Sequence, residues 1–103
     1  MKIRNMTSSR GNEIANQFEI EDGNSTYFQS YNSIIVKRGA LSIEESRNNP
    51  EIKDWKLSRT YLDKNYWNYS TTTGKYRNIF LGEDRKETER KINAGTYKLV
   101  NLN

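Results

Sequence analysis

Asn16-Gln17-Phe18-Glu19-Ile20-Glu21-Asp22-Gly23-Asn24-Ser25-Thr26-Tyr27-Phe28-Gln29-Ser30-Tyr31 is the stretch that decides the fold. Residues 16–21 set Phe18 and Ile20 against Gln17, Glu19 and Glu21, the period-two pattern of a half-buried strand. Asp22-Gly23-Asn24 supplies residues that tolerate the positive φ a hairpin turn needs. Thr26 to Tyr31 then reads as the returning strand. Asn32-Ser33 is a tight connection into Ile34-Ile35-Val36-Lys37, so the pattern predicts an antiparallel meander of three strands.

On the N-terminal side, Met1 to Ala15 is polar and carries Ser8, Ser9, Gly11 and Asn12, which predicts irregular backbone with residues 1–12 as a flexible arm. On the C-terminal side, residues 39–58 break the strand pattern and predict an exposed excursion. Within it Ser42-Ile43-Glu44-Glu45 has capping-box spacing, and Asn49-Pro50 stops the helix that it starts. Arg59 to Leu62 resumes a strand. Ser70 to Thr73 offers N-cap hydroxyls for a helix with Tyr76, Ile79 and Phe80 on one face, ended by Leu81-Gly82. Asp84-Arg85-Lys86-Glu87 is a second capping box, and Gly95 stands where a left-handed cap closes that helix. Of its residues only Ile92 and Ala94 are apolar, which predicts a solvated helix with a Glu87 to Lys91 pair. Thr96 to Leu102 is the last strand. The order β-β-β-(excursion)-β-α-α-β predicts one α+β domain over residues 1–103, an antiparallel sheet of four to five strands with the two C-terminal-half helices on one face.

Only 33% of the 103 residues are hydrophobic, and mean hydropathy is −1.04, so the core has to lean on Tyr, Trp and Phe. No stretch approaches the roughly 20 apolar residues of a membrane span, and Met1 to Asn5 is not followed by a signal-peptide core; the expectation is a cytoplasmic protein with no membrane partner. Net charge is +4, and its distribution is uneven: residues 1–38 sum to +1, residues 39–55 to −2 and residues 56–103 to +5. The positive field therefore belongs to the C-terminal half, which suits a polyanion or an acidic protein face.

Four groups of residues are candidates for function. Tyr66, Trp67 and Tyr69 lie among Lys64, Lys75 and Arg77, an arrangement in which rings stack bases and cations hold phosphates; the alternative is that Trp67 and its neighbours fill the core. Tyr27, Gln29 and Tyr31 share one strand face, a row suited to protein recognition unless a helix covers it. Trp55 in a polar excursion is a candidate anchor for a partner, or a closure of the core edge. Arg85, Lys86, Arg90 and Lys91 make a basic helix diluted by Glu83, Asp84, Glu87 and Glu89.

The chain has no cysteine and no histidine, which removes thiolate nucleophiles, the usual zinc sites and the common neutral-pH base. No phosphate loop, nucleophile elbow or nuclease-like carboxylate cluster is present. The expectation is a protein without catalytic residues, metal, cofactor or small-molecule substrate.

The strings Gly11-Asn12, Asn16-Gln17-Phe18, Tyr27-Phe28-Gln29-Ser30-Tyr31-Asn32-Ser33, Tyr61-Leu62-Asp63, Tyr66-Trp67-Asn68-Tyr69-Ser70 and Thr72-Thr73-Gly74-Lys75-Tyr76 resemble an uncharacterised family of small phage and mobile-element proteins. The resemblance spans most of the chain outside residues 39–58 and carries no established catalytic residues. It implies an infected bacterial host as the setting, where small phage proteins act by binding and occluding host machinery. The leading expectation is thus an inhibitor of a host defence nucleoprotein, an anti-CRISPR directed at a CRISPR nuclease, with Tyr27, Gln29, Tyr31, Trp55 and the basic residues 75, 77, 85 and 86 as contacts. The alternative is a single-stranded nucleic-acid-binding module of phage or plasmid replication that uses the Tyr66-Trp67-Tyr69 cluster.

Overall fold

The computed structural model describes residues 1–103. Six strands, β1 (Lys2–Thr7), β2 (Glu13–Asp22), β3 (Ser25–Ser30), β4 (Ser33–Gly39), β5 (Arg59–Asp63) and β6 (Tyr97–Val100), lie side by side in sequence order in one open sheet. All neighbours are antiparallel except β5 and β6, which run parallel. That parallel pair needs a long crossover, and the helices α2 (Thr71–Leu81) and α3 (Arg85–Asn93) supply it. The architecture is α+β, and its helices lie mainly in the C-terminal half.

The predicted hairpin forms with Gly23 at φ 62 in its turn and Ile20 opposite Tyr27. Two features bend the sheet. Asn16 takes φ 65 inside β2 and its carbonyl accepts from the amide of Tyr31, itself at φ 55 in the β3–β4 turn. A register shift in the β3–β4 ladder lies between Phe28 and Gln29.

Residues 2–7, expected as part of a flexible arm, instead form the edge strand β1. Its side chains hide the signal: only Met6 is buried, and Ile3 is 59% exposed. The strand is held by its ladder to β2 and by Arg4, which bridges Glu19 and Glu21 across the pair. The strand count is therefore six rather than four to five.

Cross-strand register separates two cores. Phe28, Val36 and Leu62 are successive partners on one face, under α2 and α3, and join Met6, Ile35, Leu81 and Tyr97. Tyr27, Lys37 and Tyr61 are successive partners on the other face. There Tyr61, Leu41 and Val100 form a second cluster with Ile52, Trp55 and Leu102 packed against it. Residues 39–58 stay largely exposed on their outer side but do not hang free. They fold back over the second face, and the short helix α1 (Ile43–Asn48) begins at the predicted Ser42–Glu45 capping box. Asn49, only 1% exposed, pins the segment by donating to the carbonyl of Asn101 at 2.8 Å and accepting from its amide at 2.7 Å.

At the centre of this second face Lys37, 2% exposed, donates to Glu45 of α1, whose carboxylate also accepts from the Tyr27 hydroxyl at 3.2 Å. Burial works to lower the Lys37 pKa, but the bonds to Glu45 and Tyr27 outweigh it and hold it above the ordinary value. Burial likewise opposes ionisation of Glu45, and the Lys37 ammonium and the Ser42 amide hold it below the usual carboxylate range. The sheet therefore has cover on both faces, where the sequence pattern placed helices on one.

Candidate functional site

Ser70 caps α2 by accepting from the Thr73 amide at 3.1 Å, and Gly82, at φ 72, ends it in the left-handed conformation. Of the expected apolar stripe Tyr76 and Phe80 pack against the first core, but Ile79 is 54% exposed, and the buried residues of α2 are Thr73, Arg77 and Leu81. These three recur at i, i+4 and i+8, with Tyr76 and Phe80 at the flank of the first core. Thr73 meets Ser30 of β3 hydroxyl to hydroxyl at 2.8 Å, which fixes the first turn of α2 on the sheet. Gln17, opposite Ser30 in the register, is fully buried with neither amide atom bonded.

The loop before α2 is organised by Asp63, a fully buried carboxylate at the end of β5. It accepts from the amides of Asn65 and Tyr66 at 3.0 Å each and from the amide of Leu102 at 2.8 Å. This folds Tyr66 and Trp67 inward against the first core, with the Tyr66 ring edge-on to Tyr69 at 5.3 Å between centroids. Tyr69 itself is 47% exposed.

The loop and the N-terminal half of α2 enclose an open groove of about 590 Å³. Asn68, Tyr69, Ser70 and Thr71 form one side, Gly74, Lys75, Arg77 and Asn78 line the helix, and Arg85 reaches in from the start of α3. Three cations and no carboxylate line it.

Arg77 is the unusual member, with 1% of its surface exposed. One terminal nitrogen donates to the carbonyl of Trp67 at 2.6 Å and to Asn68 Oδ1 at 3.4 Å, and the other to Asn78 Oδ1 at 2.9 Å. Nε–H has no acceptor. The guanidinium lies against the Trp67 ring, 5.3 Å from its centroid. Every acceptor is neutral. Burial, with the charge of Arg85 in the same direction, lowers the Arg77 pKa, and distant Glu83 and Glu89 offset only part. A charged group without an anionic partner is a costly thing to bury.

The sequence-derived candidates divide accordingly. Tyr69, Lys75, Arg77 and Arg85 are brought together by the groove. Tyr66 and Trp67 belong to the core flank. Lys64 and Lys86 are exposed outside the groove, and Arg90 is engaged by Glu87. Lys91 pairs with Glu83 rather than with the predicted Glu87. Of the strand row, Tyr27 lies under α1, Gln29 donates to the Tyr31 carbonyl at 2.7 Å, and Tyr31 sits exposed in the turn. Trp55 packs on the second core, its carbonyl accepting from the Leu41 amide. The reading from sequence missed Gly74 and Asn78 as groove residues. The spacing of Thr73, Arg77 and Leu81 was the available signal, since a helix stripe drawn from Leu81 buries Arg77.

Fold and site together define a small α+β domain with an open six-stranded sheet and a cationic groove at a helix N-terminus. The chain belongs to a family of unknown function, DUF8033, whose model matches residues 1–95. No curated protein and no solved structure matches the chain. No helix is long and apolar enough to cross a membrane.

Proposed function

We propose that this protein binds single-stranded nucleic acid without acting on it chemically, and that the groove at the start of α2 is where the strand lies. The observation that carries this reading is the groove lining: Lys75, Arg77 and Arg85 around a helix N-terminus with no carboxylate among them. Tyr69, half exposed at the rim, offers a ring face on which a base stacks. A single strand suits the site better than a duplex, because the basic helix α3 interleaves its cations with Glu87 and Glu89 and presents no unbroken basic stripe for a groove of DNA.

Anisotropy of a labelled single-stranded oligonucleotide across a salt series tests the reading. Three phosphate contacts predict a slope of log K against log salt of about −2. Undetectable binding at low ionic strength, or affinity indifferent to salt, refutes it.

A second reading is occlusion of a host defence nucleoprotein, a CRISPR nuclease among them, in the phage setting that the resemblance implies. The basic character of the groove favours a guide RNA backbone as its point of contact and disfavours DNA mimicry, which calls for acidic surface. Tyr27 and Trp55 are withdrawn as contacts because both are engaged within the domain; Tyr31 stays available. Absence of any co-purifying nucleoprotein, with nuclease activity untouched by the protein, refutes this version.

A further inference from the structure

We infer that the groove contains a seat for one phosphate group, formed by the Arg77 guanidinium, the open first turn of α2 and Arg85. The inference rests on the nucleic-acid reading for the identity of its occupant, a phosphate of the strand, and adds the place where that phosphate sits.

Two independent features converge there. The first is the helix end. Ser70 takes up the amides of Thr73 and Gly74 through its hydroxyl and carbonyl, which leaves the Thr71 and Thr72 amides at the open end of an 11-residue helix. The second is the buried cation. Arg77 has five N–H donors, but its three bonds go to two amide side chains and one peptide carbonyl, and Nε–H goes to none. A guanidinium so deeply placed is ordinarily matched by a carboxylate. No carboxylate fills that role here, and Arg77 is among the residues that line the groove.

Gly74 lines the groove beside this cation and adds no side chain over it. It lies one helical turn before Arg77, and a Cβ built there would stand 3.7 Å from both terminal nitrogens of the guanidinium. A side chain would therefore cover the cation at ordinary contact distance, without a clash. Arg85 completes the seat from α3; its partner Glu89 is exposed and holds it at 3.2 Å, an ion pair weak enough to yield to a phosphate.

The test uses inorganic phosphate as the probe, titrated against the full chain with chloride matching the ionic strength, and follows backbone amide shifts. Saturable shifts at Thr71 and Thr72, weakened about tenfold in Arg85→Gln by loss of one charge-assisted contact, are expected. Gly74→Ala should weaken them similarly while the domain stays folded. Arg77→Leu also removes support from Trp67 and Asn78, so the two other variants, which leave that support in place, carry the decision. No saturable shift, or wild-type affinity in both variants, overturns the seat. Phosphate shifts without oligonucleotide binding would uphold the seat and refute the nucleic-acid reading. Oligonucleotide binding without phosphate shifts would do the reverse.

Discussion

Truncating Glu45 to alanine should cost far more than its place in a short surface helix suggests. The carboxylate lies against Lys37, and the two side chains are 18% and 3% exposed. Breaking a fully buried pair from one side costs about 3–5 kcal/mol, since the remaining charge is left without a partner. Partial exposure of Glu45 lets water reach the abandoned ammonium, which brings the figure to about 2–3 kcal/mol. Loss of the capping-box bond from the Ser42 amide, 2.7 Å in the intact protein, adds about 1 kcal/mol. The sum, about 3 to 4 kcal/mol, is a large share of the 5–15 kcal/mol that holds a domain together. Urea unfolding followed by tryptophan fluorescence reads the change as a fall in midpoint at unchanged slope. The companion variant Lys37→Met/Glu45→Ala removes both charges and should recover about 2 kcal/mol of the loss, because apolar replacement of a buried pair is often neutral. A single variant within about 0.5 kcal/mol of the wild type, or a double variant no more stable than the single, would refute the reasoning.

Three further outcomes follow from the same structure. Asp63→Ala removes the carboxylate acceptor of the Asn65, Tyr66 and Leu102 amides and should destabilise by about 2–4 kcal/mol, with the near-ultraviolet dichroism of Tyr66 and Trp67 reporting the loosened loop. Stability should hold steady from neutral pH down to the ordinary carboxylate pKa of about 4.3 and fall as pH drops below it. The sign follows from Glu45 and Glu83, whose folded pKa values are depressed: burial opposes ionisation at each, and Lys37 with Ser42, or Lys91 with Thr88 and Tyr97, outweighs it. Acid unfolding curves that are flat to pH 3 would contradict this. Lys75→Ala should shrink the salt slope of oligonucleotide binding by about 0.7, whereas Lys86→Ala, outside the groove, should change it less.

The hairpin around Gly23, the Ser42–Glu45 capping box, the Ser70 and Asp84 N-caps and the two helices α2 and α3 were legible because each rests on local chemistry: alternation, turn residues and side-chain caps. β1 was not, since an edge strand with one buried side chain draws its stability from a ladder and cross-strand charges that composition does not display. The cover over the second face was hidden for a different reason. Lys37 reads as the polar end of a strand, and only the fold brings Glu45 across to it. Within the groove, Lys75 and Arg85 were visible as basic residues and Tyr69 as an aromatic. Their meeting place depends on Asp63 turning the loop and on Arg77 pointing inward, and neither can be read from residue type alone.

Photo-cross-linking of a single-stranded oligonucleotide to the protein, followed by peptide mapping, shows whether the strand lies in the groove. A strand seated there forms an adduct at Tyr69, on the rim of the groove, that is suppressed by salt. Adducts at Tyr27 or Trp55, or none at any residue under low-salt conditions, would contradict it.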